Sequence, residues 1–221
     1  MERNEVQNVQ ILAEEIASRI EALPQRNTPN VRALRRRFSQ QLADADPEFI
    51  LALAHELIDH HDLRWVASEL VAEHRVAYQS LNEAKLEALG RGINSWHTVD
   101  SFARVLSGPA WRDGLISADV VQRWAHSTDR WWRRAALVST VALNVRSHGG
   151  YGDTLRTLTI CRLLVADRDD MVVKALSWAL RELVPHDAPA VRAFLQENDA
   201  VLAARVKREV QNKLRTGLKN P

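Results

Sequence analysis

Apolar residues recur at intervals of three and four along almost the whole of this 221-residue chain. Such spacing places them on one side of an α-helix, and no stretch of useful length alternates between apolar and polar residues as a half-buried strand does. Most glycines and prolines fall between these stretches, one example being "LSGPAW" at 106–111. The pattern therefore predicts an all-α fold. The predicted helices are 5–22, 30–43, 47–59, 63–75, 80–89, 98–107, 117–125, 130–144, 153–166, 170–183, 187–196 and 200–215.

Three of these segments resemble one another, each opening with Asp and running through a basic and an aromatic residue into Ala, Leu and Val. The last two begin at residues 129 and 169, a separation that matches the roughly 40–47-residue period of HEAT-type repeats. The sequence thus predicts an α-solenoid of HEAT-like antiparallel helix pairs, forming a single domain over residues 1–221 with a concave surface. The three segments are "DLRWVASELVAEHR", "DRWWRRAALVSTVAL" and "DDMVVKALSWALREL".

Composition narrows the class of protein. Hydrophobic residues make up 46% of the chain and charged residues 26%, as in a soluble globular protein. No apolar run approaches the roughly 20 residues that cross a bilayer, and the polar start "MERNEVQNVQ" is unlike a signal peptide. Cys161 is the only cysteine, which excludes an internal disulfide and a multi-thiolate zinc site. We expect a cytoplasmic protein without membrane contact, metal or cofactor.

Charge is unevenly distributed along the chain. Residues 1–120 hold 13 basic and 18 acidic residues, whereas residues 121–221 hold 17 basic and 10 acidic ones. Of the 30 basic residues 25 are Arg, whose planar guanidinium binds phosphate in a bidentate manner. The basic half therefore predicts an anionic partner, although an Arg-rich composition is also typical of a GC-rich genome.

Helix 170–183 carries an aromatic residue on its basic face. On a helical wheel, Leu176 and Leu180 lie on one side, while Lys174, Trp178 and Arg181 lie on the other. This arrangement indicates an exposed stacking surface between two phosphate-binding cations. The alternative is that Trp178 packs against the neighbouring repeat.

Other basic residues allow two interpretations as well. Arg134 shares a helix face with apolar residues, so it must reach a carboxylate, a cleft or a ligand phosphate unless it extends to solvent. Lys207 and Arg208 belong to a basic terminal segment that either contacts a DNA backbone or forms a solvated face. The cluster at 32–37 is equally ambiguous.

The segment "NSWHTVDSFA" at 94–103 places Trp96 and Asp100 four residues apart. Thr98 is the predicted N-cap of a new helix, which would put Asp100 in the first turn, where acids are favourable. The alternative is a catalytic carboxylate beside an aromatic side chain. A zinc-protease site at "HELIDHH" is excluded, because Asp59 stands where the second His must be.

Taken together, these segments resemble the AlkD-type bacterial DNA alkylation repair glycosylases, a family with HEAT-like repeats. "NSWHTVDSFA" resembles the motif that carries a Trp and a catalytic Asp, and "STDRWWRRAAL" resembles the next motif, whose Arg matches Arg134. "VVKALSWALREL" resembles the third, whose Trp matches Trp178, and "NTPNVRALRRRF" resembles the family's early Pro-containing helix entrance. The resemblance runs from about residue 28 to 215. Because Arg133 adjoins Arg134, either one is a candidate for the Arg of the second motif.

The resemblance implies a monofunctional glycosylase of base excision repair, acting as a monomer on duplex DNA that contains N3- or N7-alkylated purines. Asp100 would stabilise the cationic sugar, Trp96 and Trp178 would pack against the damaged nucleotide, and Arg134 or Arg133 would hold a phosphate. The other predicted DNA-binding residues are Lys174, Arg181, Lys207 and Arg208. Two alternatives stay open, namely a non-catalytic relative that binds branched or damaged DNA and a solenoid that binds protein.

Overall fold

The computed structural model describes the backbone of residues 3–221 and the side chains of residues 6–221. It contains α-helices joined by short connections and no β-strand among the described residues, which confirms the all-α prediction. The helices are α1 (Arg3–Glu21), α2 (Thr28–Gln41), α3 (Pro47–Asp59), α4 (Arg64–Glu73), α5 (Arg75–Gln79), α6 (Glu83–Gly90), α7 (Trp96–Phe102), α8 (Gly108–Arg112), α9 (Ala118–Ala125), α10 (Arg130–Asn144), α11 (Thr154–Leu163), α12 (Asp170–Leu183), α13 (Ala188–Glu197) and α14 (Ala204–Thr216).

The chain divides into two compact units, Met1–Arg91 and Gly92–Pro221. In the first unit, α3 is central and packs against α1, α4, α5 and α6, while α2 packs against α4. Ile50, Leu53 and Leu57 project from α3 into this core and are fully buried. The prediction of a single domain over residues 1–221 stays a prediction.

The second unit is built from alternating helices in two layers. Helix α12 packs against both α10 and α14, and these three helices form one layer. Helices α9 and α11 pack against α10, and α11 and α13 pack against α12, so they form the second layer. This alternation is that of an α-solenoid, as the repeat spacing predicted. Helices α7 and α8 also pack on α10, so α10 lies at the centre of the unit.

The predicted break at "LSGPAW" is wrong. Helix α7 runs without interruption into a π-helix, Ala103–Ser107, and then into α8. Pro109 lacks the N–H that would continue the helical hydrogen bonds, and it directly follows the π-helix, an irregularity of the kind that accompanies such an interruption. Gly108 allows α10 to come close, since a Cβ at this position would lie 2.6 Å from both the Ala142 Cβ and the Ser139 carbonyl oxygen. The apparent helix breaker is therefore a site of tight packing.

The predicted helices 63–75 and 80–89 also differ from the structure, which has three helices there. His74 ends α4 and caps α5, because its Nδ1 accepts a hydrogen bond from the Ala77 N–H at 3.0 Å. Asn82 caps α6 by accepting from the Lys85 N–H at 3.0 Å. A histidine cap carries almost no sequence signal, which explains the wrong boundary.

Candidate active site

Helix α7 is capped by residues other than Asp100. Ser95 is the N-cap, and its Oγ accepts from the Thr98 N–H at 3.3 Å, while Thr98 Oγ1 accepts from the Ser95 N–H at 3.1 Å. The predicted N-cap role of Thr98 is therefore wrong, because Thr98 is the third helical residue and completes a capping box. Asp100 is consequently the fifth residue of α7, so its predicted placement in the first turn is also wrong.

The carboxylate of Asp100 binds Arg134 of α10. Oδ1 accepts from Arg134 Nε at 3.1 Å and from Nη2 at 2.9 Å, and Oδ2 accepts from Nη2 at 3.1 Å. Arg134 Nη1 donates to the carbonyl oxygen of Met171, at the start of α12, at 2.7 Å. The side chain of Arg134 is only 6% exposed, and that of Asp100 is 18% exposed. Of the partners predicted for a buried Arg134, the structure selects a carboxylate, and extension to solvent is excluded.

Burial dominates the electrostatics of Asp100. Loss of water around the carboxylate raises the pKa of Asp100 above its usual range, and the attraction of Arg134, Arg104 and His97 offsets this only in part. An ionised carboxylate at this position is poorly hydrated. Its charge therefore acts strongly on any cation that comes close.

The two tryptophans differ in their environment. Trp96, at the start of α7, is 56% exposed, and its ring stacks on that of His97 with centroids 4.2 Å apart. Trp178 of α12 is half-buried, and its Nε1 donates to Glu182 Oε1 at 3.0 Å. The leucine face predicted for α12 is confirmed, since Leu176 and Leu180 are buried. The sequence analysis left open an exposed Trp178 and a Trp178 packed against the neighbouring repeat. The half-buried side chain meets neither description fully, because it is partly packed and partly accessible.

Arg104, which the sequence did not single out, also belongs to this cluster. It lies in the π-helix, and its guanidinium carbon is 5.4 Å from the centroid of the Trp178 ring. Its Nη2 donates to Nε2 of His148 at 3.3 Å. The only signal in the sequence is its position four residues after Asp100, on the same side of a helix.

Arg133 points away from this cluster. Its Nε donates to Asp167 Oδ2 at 2.7 Å, and its Nη1 donates to the carbonyl oxygens of Ser127 and Thr128 at 3.0 and 2.9 Å. These bonds join the start of α10 to the connection before α12. Of the two adjacent arginines, only Arg134 therefore reaches Asp100.

The remaining predicted DNA-binding residues lie on α12 and α14. Lys174 pairs with Asp170 at 2.7 Å, and Lys207 pairs with Asp199 at 3.1 Å. Arg208 is exposed. All three stay predictions, as does the concave basic surface to which they were assigned.

Arg181 is held by a buried acid. Its Nε donates to Ser177 Oγ at 3.2 Å and lies 3.9 Å from Glu209 Oε2, whose side chain is 7% exposed. Ser177 Oγ in turn donates to Glu209 Oε2 at 2.6 Å. Arg181 therefore joins α12 to α14, and contact with DNA stays a prediction.

The described residues contain neither a metal site nor a membrane-spanning helix. No group of three or more His, Cys, Asp or Glu side chains in that part of the chain is arranged to hold a metal ion. None of the described helices combines the length and apolar character needed to span a membrane.

Comparison with known proteins identifies the family to which the chain belongs. A family model described as "DNA alkylation repair enzyme" matches residues 26–214, which include Trp96, Asp100, Arg134 and Trp178. A comparison with curated proteins found no match. The family match covers far more than half of the chain, and both compact units contribute to it. The chain therefore belongs to the family of DNA alkylation repair enzymes.

Proposed function

We propose that this protein is a monofunctional DNA glycosylase that hydrolyses the N-glycosidic bond of cationic N3- or N7-alkylated purines in duplex DNA. The observation that carries the proposal is the Asp100 carboxylate, which lies beyond the capping turn of α7 and is fixed by Arg134. The same carboxylate lies with Trp96 and Trp178 in the segments that the family model covers, and one of its oxygens accepts only a single hydrogen bond from Arg134. Perturbed, poorly hydrated acids of this kind are typical of catalytic sites.

The chemistry requires little more than a placed negative charge. Alkylation at N3 or N7 makes the purine cationic, so the C1′–N bond breaks with its electron pair leaving on a neutral base. The deoxyribose then carries positive charge, which a nearby carboxylate stabilises. Water adds to C1′ and loses a proton to solvent or to the carboxylate. No covalent enzyme intermediate is needed, in keeping with a monofunctional enzyme.

The hydrogen bonds indicate which oxygen of Asp100 faces the sugar. Oδ1 accepts two hydrogen bonds from Arg134, whereas Oδ2 accepts one at 3.1 Å. Each carboxylate oxygen has two lone-pair directions. Oδ2 therefore keeps capacity to face C1′ or to orient the attacking water.

Arg134 is better suited to orient Asp100 than to hold a phosphate. Its Nε, Nη1 and Nη2 all donate to Asp100 or to the Met171 carbonyl. A phosphate contact would have to compete with these bonds. Trp96 and Trp178 supply flat apolar surfaces against which the damaged nucleotide and its sugar can pack.

The test is release of free base from duplex DNA that carries one defined alkylpurine, comparing the wild type with Asp100→Asn. Removing the charge opposite a developing cation costs on the order of 3 kcal/mol of transition-state stabilisation, or roughly a hundredfold in rate. The matched control is Asp129→Asn. Asp129 caps α10 through the Trp131 N–H at 2.8 Å, and Asn caps equally well, so base release should be unchanged.

The same experiment separates the alternatives. A folded Asp100→Asn variant that excises base at the wild-type rate would contradict catalysis by Asp100. Binding of damaged or branched duplex without base release by the wild type would favour a non-catalytic DNA-binding protein. Absence of duplex binding at physiological salt would favour a solenoid that binds protein.

A further inference from the structure

The cluster around Asp100 contains two arginines with different hydrogen-bonding states. Each guanidinium nitrogen of Arg134 donates to a protein oxygen. Arg104 has a single hydrogen bond within the described part of the chain, from Nη2 to His148, which leaves Nε and Nη1 without a protein acceptor. Arginine carries five N–H donors and binds phosphate through pairs of them. The two residues are therefore suited to different tasks.

We propose that Arg104 binds the DNA phosphate beside the nucleotide held at Asp100 and Trp178, and that Arg134 serves as a positioning residue. This inference rests on the proposed function and specifies how the same site holds its substrate. Arg104 acts on the nucleic acid backbone, so it supplies affinity and register and carries no sequence information.

The location of Arg104 supports this assignment. Its guanidinium carbon lies 5.4 Å from the Trp178 centroid, a cation–π distance that holds the guanidinium plane beside the aromatic surface. His148 accepts from Nη2 at 3.3 Å and restrains the other end of the group. The side chain is half-buried, so it loses little further freedom on binding.

The local backbone also distinguishes this residue. Arg104 lies in the π-helix Ala103–Ser107, where the Gly108 N–H donates to the Ala103 carbonyl oxygen five residues earlier. A π-turn widens the helix and re-aims the side chains that follow, and such turns are frequent at functional sites. Here the turn directs Arg104 toward α12, on which Trp178 lies.

Electrostatics link Arg104 to the reacting centre as well. Its charge is among those that lower the pKa of Asp100 against the effect of burial. The guanidinium is therefore near enough to act on the same nucleotide as the carboxylate. A bound phosphate would partly neutralise Arg104 and leave the negative charge of Asp100 more effective toward the sugar.

The experiment measures binding to a duplex with a single tetrahydrofuran abasic-site analogue, which the enzyme cannot hydrolyse, over a range of salt concentrations. Each phosphate contact contributes about 0.9 to the slope of log affinity against log salt. We expect Arg104→Gln to reduce the slope by about this amount and Arg104→Lys, which keeps the charge, to retain it. Arg162→Gln is the matched control, because Arg162 also lies over an aromatic ring, 5.9 Å from the Phe194 centroid, but on α11.

The outcomes separate this inference from the proposed function. An Arg104→Gln variant that remains folded by circular dichroism and keeps the wild-type slope would overturn the phosphate contact. An equal loss of slope in Arg162→Gln would do the same, since the effect would then be general. Undiminished base release by Asp100→Asn would overturn the glycosylase mechanism and leave the slope measurement intact. Absence of any binding by the wild type would overturn both.

Discussion

Nη2 of Arg134 lies 2.9 Å from Oδ1 and 3.1 Å from Oδ2 of Asp100, so one nitrogen bridges both oxygens of the carboxylate. The remaining nitrogens bind Oδ1 and the Met171 carbonyl, which prevents the guanidinium from rotating. The carboxylate is thus fixed by Arg134, and 18% of the Asp100 side chain stays exposed. This arrangement joins α7, α10 and the start of α12 at a single point.

A double-mutant cycle of Asp100→Asn and Arg134→Gln should reveal strong coupling in stability. Neutralising either partner leaves the other charge poorly hydrated and without its counter-charge, at a cost of about 1–3 kcal/mol in the free energy of unfolding. The double variant should lose less than the sum, with a coupling energy of about 0.5–3 kcal/mol. Urea unfolding of the four proteins measures this. Additive losses would mean that the bridge contributes nothing to folding.

Base release should fall in acid because Asp100 must be ionised to stabilise a cation. Burial raises the pKa of Asp100 above the ordinary value of 3.8, so the loss should begin at a higher pH than for a solvated aspartate. Arg104 lowers this pKa, so Arg104→Gln should move the acid limb to still higher pH. The rate of free-base release as a function of pH, corrected for spontaneous depurination, measures both effects.

The control for the pH profile is Arg162→Gln, which removes a charge from α11 and should leave the acid limb in place. A limb that moves to lower pH in Arg104→Gln would contradict the sign of the predicted interaction. A profile without any acid limb would show that Asp100 does not act as an ionised group.

Trp178→Ala should reduce binding of lesion-containing duplex much more than it reduces stability. The side chain is half-buried and lies opposite the leucine face, so its truncation opens a surface and not a core cavity. The matched control is Trp111→Ala, because Trp111 is only 3% exposed. The control should lose the roughly 3–5 kcal/mol typical of a core Trp. A comparable loss for Trp178→Ala would identify Trp178 as structural.

Gly108→Ala should destabilise the second unit by about 1–3 kcal/mol through overpacking. The added Cβ would meet the Ala142 Cβ and the Ser139 carbonyl oxygen at 2.6 Å, and a backbone atom cannot move aside easily. Gly114→Ala is the control for steric effects, since nothing lies within 4 Å of its Cβ position and only its φ of +79° opposes substitution. Thermal unfolding compares the two. A loss at Gly108 well below about 1 kcal/mol would mean that packing at Gly108 is loose.

Gly108→Ala should also affect activity, because Gly108 packs directly on α10. Because α7, the π-helix and α8 form one continuous run on α10, displacing Gly108 should shift Asp100 relative to Arg134. Base release should therefore fall in a variant that is still folded at the assay temperature. An unchanged rate would show that the Asp100–Arg134 pair tolerates movement of α8.

Much of the helical structure is encoded locally. Helices α3, α10 and α12 begin and end at the predicted residues. Each begins after an Asp N-cap whose carboxylate accepts a backbone N–H, and each carries apolar residues at helical spacing. Such signals involve residues a few positions apart, so the helix boundaries can be predicted from a single sequence. The family resemblance rested on the same kind of local segment.

The sequence also pointed to Asp100, Trp96, Arg134 and Trp178 as candidates, but it left open a first-turn position for Asp100 and a solvent-exposed Arg134. The structure excluded both, because Ser95 and Thr98 cap α7 and because Arg134 is buried against a carboxylate 34 residues away. The π-helix was missed for a related reason. "SGP" normally ends a helix, and only contact with α10 explains why the chain continues through it.

What only the tertiary structure decided is which charged groups meet. Arg104 lies over Trp178, which is 74 positions later in the chain. Arg133 and Arg134 are adjacent in sequence, yet Arg133 binds Asp167 and Arg134 binds Asp100. Local spacing determines the helix face on which a side chain lies. Its partner depends on how helices stack, which follows from burial of apolar surface over the whole unit. The sequence by itself therefore determined the helices and the candidate residues, whereas packing determined how those residues form a site.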